Sequence, residues 1–303
     1  AGQRLRAGVR GVAAKGMLTT ERIEQRRCRE GRARYHMQEA HTRNGRCEGA
    51  EDGESARKGS RHIIAERCYF DLRYPFWHVS DLRVTDCEMT EHCRAAMWYD
   101  SGIKISGSKL GGIKALRECR GVELSDCTVN SPEFGWKCEN IAIGNSSIVS
   151  EYAFLESKSI RAQGLTFEGK YSFQYTQDVA IERSRFKTKD AFWHEKNVTV
   201  TDSVIDGEYL GWYSEGLTLV RCHIKGTQPL CYCKRLTLID CTMEDCDLAF
   251  EYSDVEASIH SAILSVKNVR SGHITADAIG EVIRTPDSVY PAEAVIVAGG
   301  ENK

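Results

Sequence analysis

Five side chains are of the types that polysaccharide-cleaving enzymes use in catalysis. They lie at related positions of a short sequence repeat. They are three carboxylates, one lysine and one histidine: Glu133, Asp190, Glu208, Lys189 and His194. Two carboxyl groups roughly 5 to 10 Å apart can hydrolyse a glycosidic bond, and a general base beside a carboxylate-binding cation can eliminate across a uronate. These five residues are therefore the catalytic candidates. The simpler interpretation is that they only solvate the surface.

Five tryptophans recur at or near one position of the same repeat. They are Trp77, Trp98, Trp136, Trp193 and Trp212. The residue before each is apolar or glycine and is expected to face inward, so the tryptophan is expected to face outward, with Tyr213 in the column beside it. Exposed rings at a regular rise offer a linear polysaccharide repeated apolar platforms. These six residues are the predicted ligand-binding residues. The alternative is that the rings pack on one another and only stabilise the fold.

The secondary-structure elements that position these residues are predicted from a sequence repeat of nineteen residues. Phrases such as VTVTDS (198–203), LTLVRC (217–222) and LTLIDC (236–241) share one frame, and we use the last residue of each as a marker. The markers are Cys28, Cys47, Cys68, Cys87, Ser108, Cys127, Ser146, Leu165, Ser184, Ser203, Cys222 and Cys241. Their spacing is shorter than that of helical repeats, about 33 residues upward. Within each phrase, apolar and polar residues alternate as in a strand. The sequence predicts an all-β fold, a single-stranded parallel β-helix of about twelve coils of 19 residues.

Turn residues precede most of these phrases at one fixed place. They are of types that tolerate left-handed backbone, namely Asp81, Gly102, Gly121, Asn140, Asp178, Asn197, Gly216 and Asp254. Each coil is therefore expected to turn at the same point.

Cysteine is unusually frequent, with thirteen residues in the chain. Seven occupy the marker position, and Cys119, Cys138 and Cys233 form a second column eight residues before the next marker. Because cysteine packs as a small hydrophobe, reduced core thiols are expected. The alternative is zinc held by four convergent sulfurs about 2.3 Å from the metal, but no paired CxxC spacing occurs. No metal and no cofactor are predicted.

Several longer phrases resemble an uncharacterised, mainly bacterial family, domain of unknown function 3737. They are YPFWH (74–78), RAAMWY (94–99), TKDAFWHEKNVTV (188–200), GEYLGWYS (207–214), QPLCY (228–232) and LAFEYS (248–253). The likeness spans about residues 23–283. The family is similar to pectin-lyase-like β-helices, so the resemblance implies a right-handed parallel β-helix. It implies no catalytic residues.

Composition limits the partners. The formal net charge is −2, which argues against a generic polyanion binder, and nucleic acid is not expected. No apolar run approaches the roughly 20 residues of a spanning helix, so no membrane insertion is expected. No apolar signal segment is recognisable, and a cytoplasmic location is predicted.

Two regions are predicted. Residues 1–20 contain four basic residues and no acid, and are interpreted as a basic N-terminal extension that is disordered or non-native. Residues 21–303 are assigned to the β-helix domain, with irregular closing strands from about residue 255, where the 19-residue spacing ends.

The functional prediction is a non-enzymatic carbohydrate-binding or scaffold solenoid whose partner is an oligo- or polysaccharide. One alternative is a polysaccharide-active enzyme, either a lyase or a glycoside hydrolase. A second is an oligomeric interaction protein, in which the tryptophans form the interface of a homo-oligomer.

Overall fold

The structure is a computed structural model in which the chain winds as a parallel-strand β-solenoid of about 13 turns of about 19 residues. It describes residues 57–299 and, before them, the strands at 40–43 and 46–48; for those two strands and for residue 57 only the backbone is described. The predicted all-β parallel solenoid is confirmed. The predicted extension at 1–20 and the marker Cys28 lie outside the described residues. In the described part, no helix has the length and apolar character needed to span a membrane.

Three stacks of parallel strands run along the solenoid. The first stack has one strand in each coil: Ala40–Arg43, Arg61–Glu66, Ser80–Thr85, Ser101–Ser106, Arg120–Ser125, Glu139–Gly144, Lys158–Gln163, Gln177–Glu182, Lys196–Thr201, Thr218–Val220, Leu236–Glu244, Asp254–Lys267, Ser271–Ile283 and Val295–Ala298. The second stack contains Arg46–Glu48, Tyr69–Asp71, Glu88–Met89, Lys109–Leu110, Thr128–Asn130, Ser147–Ser150, Thr166–Gly169, Arg185–Lys189, Val204–Glu208 and His223–Lys225. The third is short: Arg57–Lys58, Phe76–Trp77, Met97–Trp98 and Leu116–Arg117.

The register places equivalent residues of successive coils next to each other. Val122 pairs with Ile141 and Ile141 pairs with Ile160, which are steps of nineteen residues. The markers from Cys68 to Cys241 are all buried in one column. One expected marker is wrong: Cys47 pairs with Phe70, which lies two residues past the marker Cys68.

The core is a column of inward side chains. Val198 and Val200 are buried while Thr199 between them is exposed, as the alternation predicts. Phe173 stacks on the phenyl rings of Phe154 and Phe192, with centroid distances of 4.7 and 5.1 Å. Each such ring contributes roughly 1.5–3 kcal/mol through burial. All eleven described cysteines are buried, as expected of core thiols.

Left-handed residues turn the coils where the sequence predicts. The φ angle is between 55 and 77° at Asp81, Gly102, Gly121, Asn140, Asp178, Asn197 and Gly216. The prediction for Asp254 is wrong, because this residue lies in an extended strand, where its carboxylate accepts hydrogen bonds from Arg270 and Ser271.

The segment after residue 255, where irregular closing strands were expected, contains two long strands and a short one that extend the stack. Asp254 pairs with Ser271, a step two residues shorter than the repeat. The register shifts between Ile259 and Ala262, which marks a bulge in the long strand.

Candidate functional site

One turn of each coil carries most of the residues singled out by the sequence. The turn spans 153–156, 172–175, 191–194, 210–213 and 229–232, and we call it, with its equivalents in the earlier coils, the aromatic corner. A strand occurs here only in the first described coils, as Arg57–Lys58, Phe76–Trp77, Met97–Trp98 and Leu116–Arg117. In the later coils the inward residue of the turn is left-handed, with a φ of 57° at Phe173. That conformation costs roughly 1–2 kcal/mol, which burial of the phenyl ring offsets.

The first surface column of the corner is the indole column. Its members are Trp77, Trp98, Arg117, Trp136, Leu155, Gln174, Trp193 and Trp212, and all are half-buried. Trp77 stacks on Trp98 at 5.7 Å between ring centroids, and Trp193 stacks on Trp212 at 5.2 Å. Cys231 follows Trp212 at the equivalent position of the next coil, but it is fully buried and does not continue the surface column.

Trp136 has no ring neighbour in this column. The guanidinium of Arg117 lies 5.1 Å from its ring centroid and 5.8 Å from that of Trp98. A cation over an indole face is attracted by the ring quadrupole. Arg117 therefore continues the stack between the two tryptophans.

The column is also a set of hydrogen-bond donors that tie one coil to the next. The indole Nε1 donates to a carbonyl sixteen residues ahead: from Trp136 to Tyr152 at 2.5 Å, from Trp193 to Tyr209 at 2.6 Å, and from Trp212 to Gln228 at 2.7 Å. Gln174 Nε2 donates in the same way to Asp190 at 3.1 Å. Within the described residues, the buried Nε1 atoms of Trp77 and Trp98 have no such partner. Trp136, Trp193 and Trp212 thus have a structural role.

The second surface column, the outer ring column, follows the first by one residue. It contains His78, Tyr99, Glu118, Lys137, Glu156, Tyr175, His194, Tyr213 and Tyr232. His194 lies between Tyr175 and Tyr213, with centroid distances of 4.9 and 4.8 Å, and Tyr213 stacks on Tyr232 at 4.6 Å. Burial raises the pKa of Tyr232 to about 12. Neighbouring rings cover one another's faces, so solvent meets mainly ring edges and polar atoms.

Three of the catalytic candidates lie together beside the corner. The Lys189 ammonium is 3.1 Å from the Glu208 carboxylate and 5.2 Å from the ring centroid of Tyr209. The hydrogen bond to Glu208 raises the pKa of Lys189. Asp190 is largely buried, and burial raises its pKa even though the positive charge of Lys189 opposes this. Lys189 is therefore a protonated cation in an ion pair, with Asp190 next to it.

The other two catalytic candidates do not join this group. The Glu133 carboxylate is 3.4 Å from Lys114 and 3.5 Å from Arg117. Glu133 occupies the same column as Asp190 but three coils away, roughly 14 Å at about 4.8 Å per coil. Two carboxyls at that separation are too far apart for glycoside hydrolysis. The imidazole of His194 belongs to the outer ring column, where it is stacked between two tyrosines.

Two buried carboxyl groups were missed by the sequence reasoning. Glu195 and Asp100 are fully buried, and both oxygens of Glu195 and one of Asp100 have no hydrogen-bond partner among the described residues. Burial raises the pKa of each to about 8. The sequence did contain a signal for this burial, because both residues occupy the second cysteine column, with Cys119, Cys138 and Cys233. Across the described part of the chain, no three His, Cys, Asp or Glu side chains converge to hold a metal ion.

Comparison with known proteins agrees with the resemblance in the sequence. Solved structures similar to this chain include PfbA, a surface adhesin of Streptococcus pneumoniae, with 11% identity, a TM-score of 0.38, and coverage of 74% of this chain and 82% of that one. The catalytic domain of a GH87 alpha-1,3-glucanase in complex with tetrasaccharides has 7% identity, a TM-score of 0.32, and coverage of 85% and 63%. The tailspike protein gp49 from Pseudomonas phage LKA1 has 11% identity, a TM-score of 0.27, and coverage of 86% and 48%.

Likenesses of this size carry no information on activity. A comparison with curated protein sequences found no match. The family model of DUF3737, described as a protein of unknown function, matches residues 21–297. The chain belongs to the DUF3737 family.

Proposed function

We propose that the chain is a non-enzymatic binding solenoid that holds an elongated polysaccharide along the aromatic corner. The observation that carries this proposal is the outer ring column, in which Tyr175, His194, Tyr213 and Tyr232 present four adjacent rings at one ring per coil. Tyr175 is the most open of the three tyrosines, with 54% of its surface exposed. A regular polymer matches a surface whose chemistry repeats at a regular interval.

The chemistry of the corner supports a sugar ligand. Tyrosine and histidine edges combine apolar carbon with a hydroxyl or ring nitrogen, so they can contact both the C–H face and the hydroxyls of a pyranose. The indole column beside them adds half-buried apolar surface. Many weak, equivalent contacts along a chain add up through effective concentration, so a long polymer should bind more tightly than its fragments.

The charged groups beside the corner support binding without catalysis. Lys189 is paired with Glu208, and Glu133 is paired with Lys114 and Arg117. These pairs join successive coils, which is the arrangement of a surface charge ladder. A lyase would need a cation free to hold the substrate carboxylate, whereas Lys189 is already paired. The two carboxyls that lie near each other are Asp190, which is largely buried, and Glu208, which is engaged by Lys189.

A glycan array followed by calorimetric titration tests the proposal. We expect a linear polysaccharide to bind, with affinity rising with chain length, and the exposed-ring variants Tyr175→Ala and Tyr213→Ala to weaken it several-fold. Ile239→Ala, which removes an exposed side chain on a different face, is the matched control and should leave binding unchanged. Thermal melts establish that each variant is folded. Failure of the folded wild-type protein to bind any polysaccharide of a broad panel would refute the proposal.

The enzymatic alternative has its own test. Incubation with a uronate polymer panel and ultraviolet detection of unsaturated products would reveal a lyase, and Asp190→Asn or Lys189→Ala should then abolish the signal. The absence of unsaturated products from every polymer of the panel would agree with the binding function.

Self-association is a second candidate function, favoured by one observation. Exposed apolar side chains gather near the C-terminal end of the described chain, namely Val282, Val289, Val295 and Val297. Among the described strands, Val295–Ala298 pairs only with Ser271–Ile283, so its other edge is open to a second copy. Sedimentation velocity of the wild type and of Val295→Lys/Val297→Lys separates this function from polysaccharide binding.

A further inference from the structure

We propose that two stacked tyrosine pairs, Tyr213–Tyr232 and Tyr152–Tyr171, are sites of oxidative modification. At each pair a one-electron oxidant joins the two phenol rings as dityrosine, and the new bond ties two successive coils together covalently. The modification is independent of polysaccharide binding, because it depends only on how the rings of neighbouring coils face each other.

The rings of each pair lie face to face, one coil apart. The ring centroids of Tyr213 and Tyr232 are 4.6 Å apart with 13° between the ring planes, and those of Tyr152 and Tyr171 are 4.8 Å apart with 15°. At this separation and angle, the ring carbons of one phenol lie against those of the other. The carbons that form dityrosine, which are the ring carbons next to the phenol oxygen, are therefore neighbours before any oxidation takes place.

The main chain holds the Tyr213–Tyr232 pair in this arrangement. Tyr213 N donates to Cys231 O at 3.1 Å, and Tyr232 N donates to Glu251 O at 2.7 Å. The φ angle is 61° at both tyrosines, so their side chains leave equivalent backbone in the same direction. Reacting groups held next to each other in this way combine far more readily than free ones, because the entropy of bringing them together is already lost on folding.

One ring of each pair is open to an oxidant. The exposed fraction is 43% for Tyr213 and 38% for Tyr152, while Tyr232 and Tyr171 are half-buried. An oxidant in solution can therefore take an electron at the edge of the exposed ring, and the partner ring lies directly behind it.

The reaction balances with two one-electron steps. Each phenol loses one electron and its phenolic proton and becomes a tyrosyl radical. The two radicals form a carbon–carbon bond between their ring carbons next to oxygen, and the hydrogens on these carbons move to the two oxygens as the rings regain aromaticity. The pair loses two electrons and two protons in total. A haem peroxidase passes them to one molecule of hydrogen peroxide, which becomes two molecules of water.

His194 sets one limit of the reaction. Its imidazole lies between the rings of Tyr175 and Tyr213, with centroid distances of 4.9 and 4.8 Å. Tyr175 and Tyr213 are thus two coils apart, roughly 10 Å at about 4.8 Å per coil, and an imidazole cannot form dityrosine. Tyr175 should remain unlinked although it is the more exposed residue.

Ring orientation sets the other limit. Within the described residues, the remaining tyrosine–tyrosine ring contacts are those of Tyr252 with Tyr232 and with Tyr290. Their ring planes are inclined by 51° and 74°, at centroid distances of 5.6 and 5.4 Å. These rings do not present their faces to each other, so Tyr232 should couple to Tyr213 in preference to Tyr252.

Oxidation of the full chain tests the proposal. Two oxidants are used in parallel, a haem peroxidase with hydrogen peroxide and, as a small oxidant, photo-oxidised ruthenium tris-bipyridyl with persulfate. The monomer is then isolated, and its tryptic peptides are sequenced by mass spectrometry. We expect one peptide pair joined through Tyr213 and Tyr232 and another joined through Tyr152 and Tyr171, each lighter by two hydrogen atoms than the sum of its peptides. The linked monomer should melt at a higher temperature, because the links restrict the unfolded chain.

Matched variants assign the links. Tyr213→Phe should remove the first link and leave the second, Tyr152→Phe should do the reverse, and the double variant should lower dityrosine fluorescence of the monomer at least tenfold. Tyr175→Phe is the control and should leave both links in place. His194→Tyr adds a phenol between Tyr175 and Tyr213 and should produce a new link to Tyr175. Thermal melts before oxidation establish that each variant is folded.

Three results would overturn the proposal. The first is a folded wild-type monomer in which neither oxidant links these pairs. The second is a yield of links at Tyr252 or Tyr175 that equals the yield at the stacked pairs, since stacking would then not direct the reaction. The third is an unchanged melting temperature of the linked monomer, which would show that the bonds do not tie the coils together.

Discussion

The indole of Trp193 lies parallel to the indole of Trp212, 5.2 Å away in the next coil. Each ring also donates a hydrogen bond to a carbonyl of the coil that follows its own, from Trp193 to Tyr209 and from Trp212 to Gln228. The pair therefore links three successive coils at the aromatic corner. Four predictions test this and other features of the solenoid.

Replacing Trp193 by phenylalanine separates stacking from hydrogen bonding. Trp193→Phe keeps an aromatic face against Trp212 but removes the donor to the Tyr209 carbonyl, and we expect a loss of about 1 kcal/mol in the free energy of unfolding. Urea denaturation followed by circular dichroism measures this. Tyr175→Phe, which removes only an exposed hydroxyl, is the control. An unchanged midpoint for Trp193→Phe would show that the hydrogen bond contributes nothing.

The buried Glu195 carboxyl makes stability depend on pH. Its pKa is raised from the ordinary 4.5 to about 8 because burial disfavours the charged form, and the hydroxyl of nearby Ser214 donates instead to the carbonyls of Phe192 and Gly211. The folded chain then holds a proton that the unfolded chain releases. This contribution to stability is complete below pH 4.5 and is lost as the pH rises through about 8.

The variant Glu195→Gln should remove that dependence. We expect it to melt at a higher temperature than the wild type above pH 7, with a flatter profile between pH 5 and 9, because a neutral amide replaces a group that ionises on unfolding. The exposed Glu156→Gln should leave the profile unchanged. Asp100 contributes in the same direction, since burial also raises its pKa to about 8. A variant profile that falls as steeply as that of the wild type would contradict the burial of Glu195.

Native cysteines should resist alkylation. Burial raises the pKa of the Cys231 and Cys246 thiols to about 12 and also raises that of Cys233, while the thiolate is the reactive species. Treatment with iodoacetamide at pH 8, followed by peptide mass spectrometry, should label these sites only after unfolding in guanidinium chloride. Rapid labelling of Cys233 in the native protein would contradict the packing.

The phenylalanine stack should be among the most sensitive parts of the core. Phe173→Ala removes a fully buried ring between Phe154 and Phe192 and should cost ~3–5 kcal/mol. Phe173→Leu should cost less than about 2 kcal/mol, because Leu230 occupies the equivalent position with the same left-handed backbone, at a φ of 63°. Equal losses for the two variants in urea denaturation would argue against this stack.

The repeat made most of the fold predictable. A strict step of nineteen residues identifies vertical neighbours, so the burial of the marker residues and the left-handed turns at Asp81 and Asn197 follow from the sequence. The same frame contained Glu195 and Asp100, whose place in the cysteine column already implied burial. Their residue type pointed the other way, because carboxylates are almost never fully buried unless they are paired.

Local geometry in the turns was not predictable from alternation. Cys231 is at the position of the tryptophans but is fully buried, although Trp193 and Trp212 occupy the same turn and remain half-exposed. Asp254 is of a turn-forming type but lies in a strand, where it bonds to Arg270. The separation of Glu133 from Asp190 depends on counting coils along the axis, and similar charges at nearby positions do not reveal it.

The uniform step between Ser108 and Cys241 also bears on how such a chain changes its length. Since every junction in this stretch joins equivalent positions, an in-frame tandem duplication or loss of one repeat unit reconnects the strands in matching order and leaves the neighbouring layers intact. The molecule can thus be extended or shortened by genetic recombination in whole layers, and its length along the solenoid axis is a heritable dimension that changes in discrete steps.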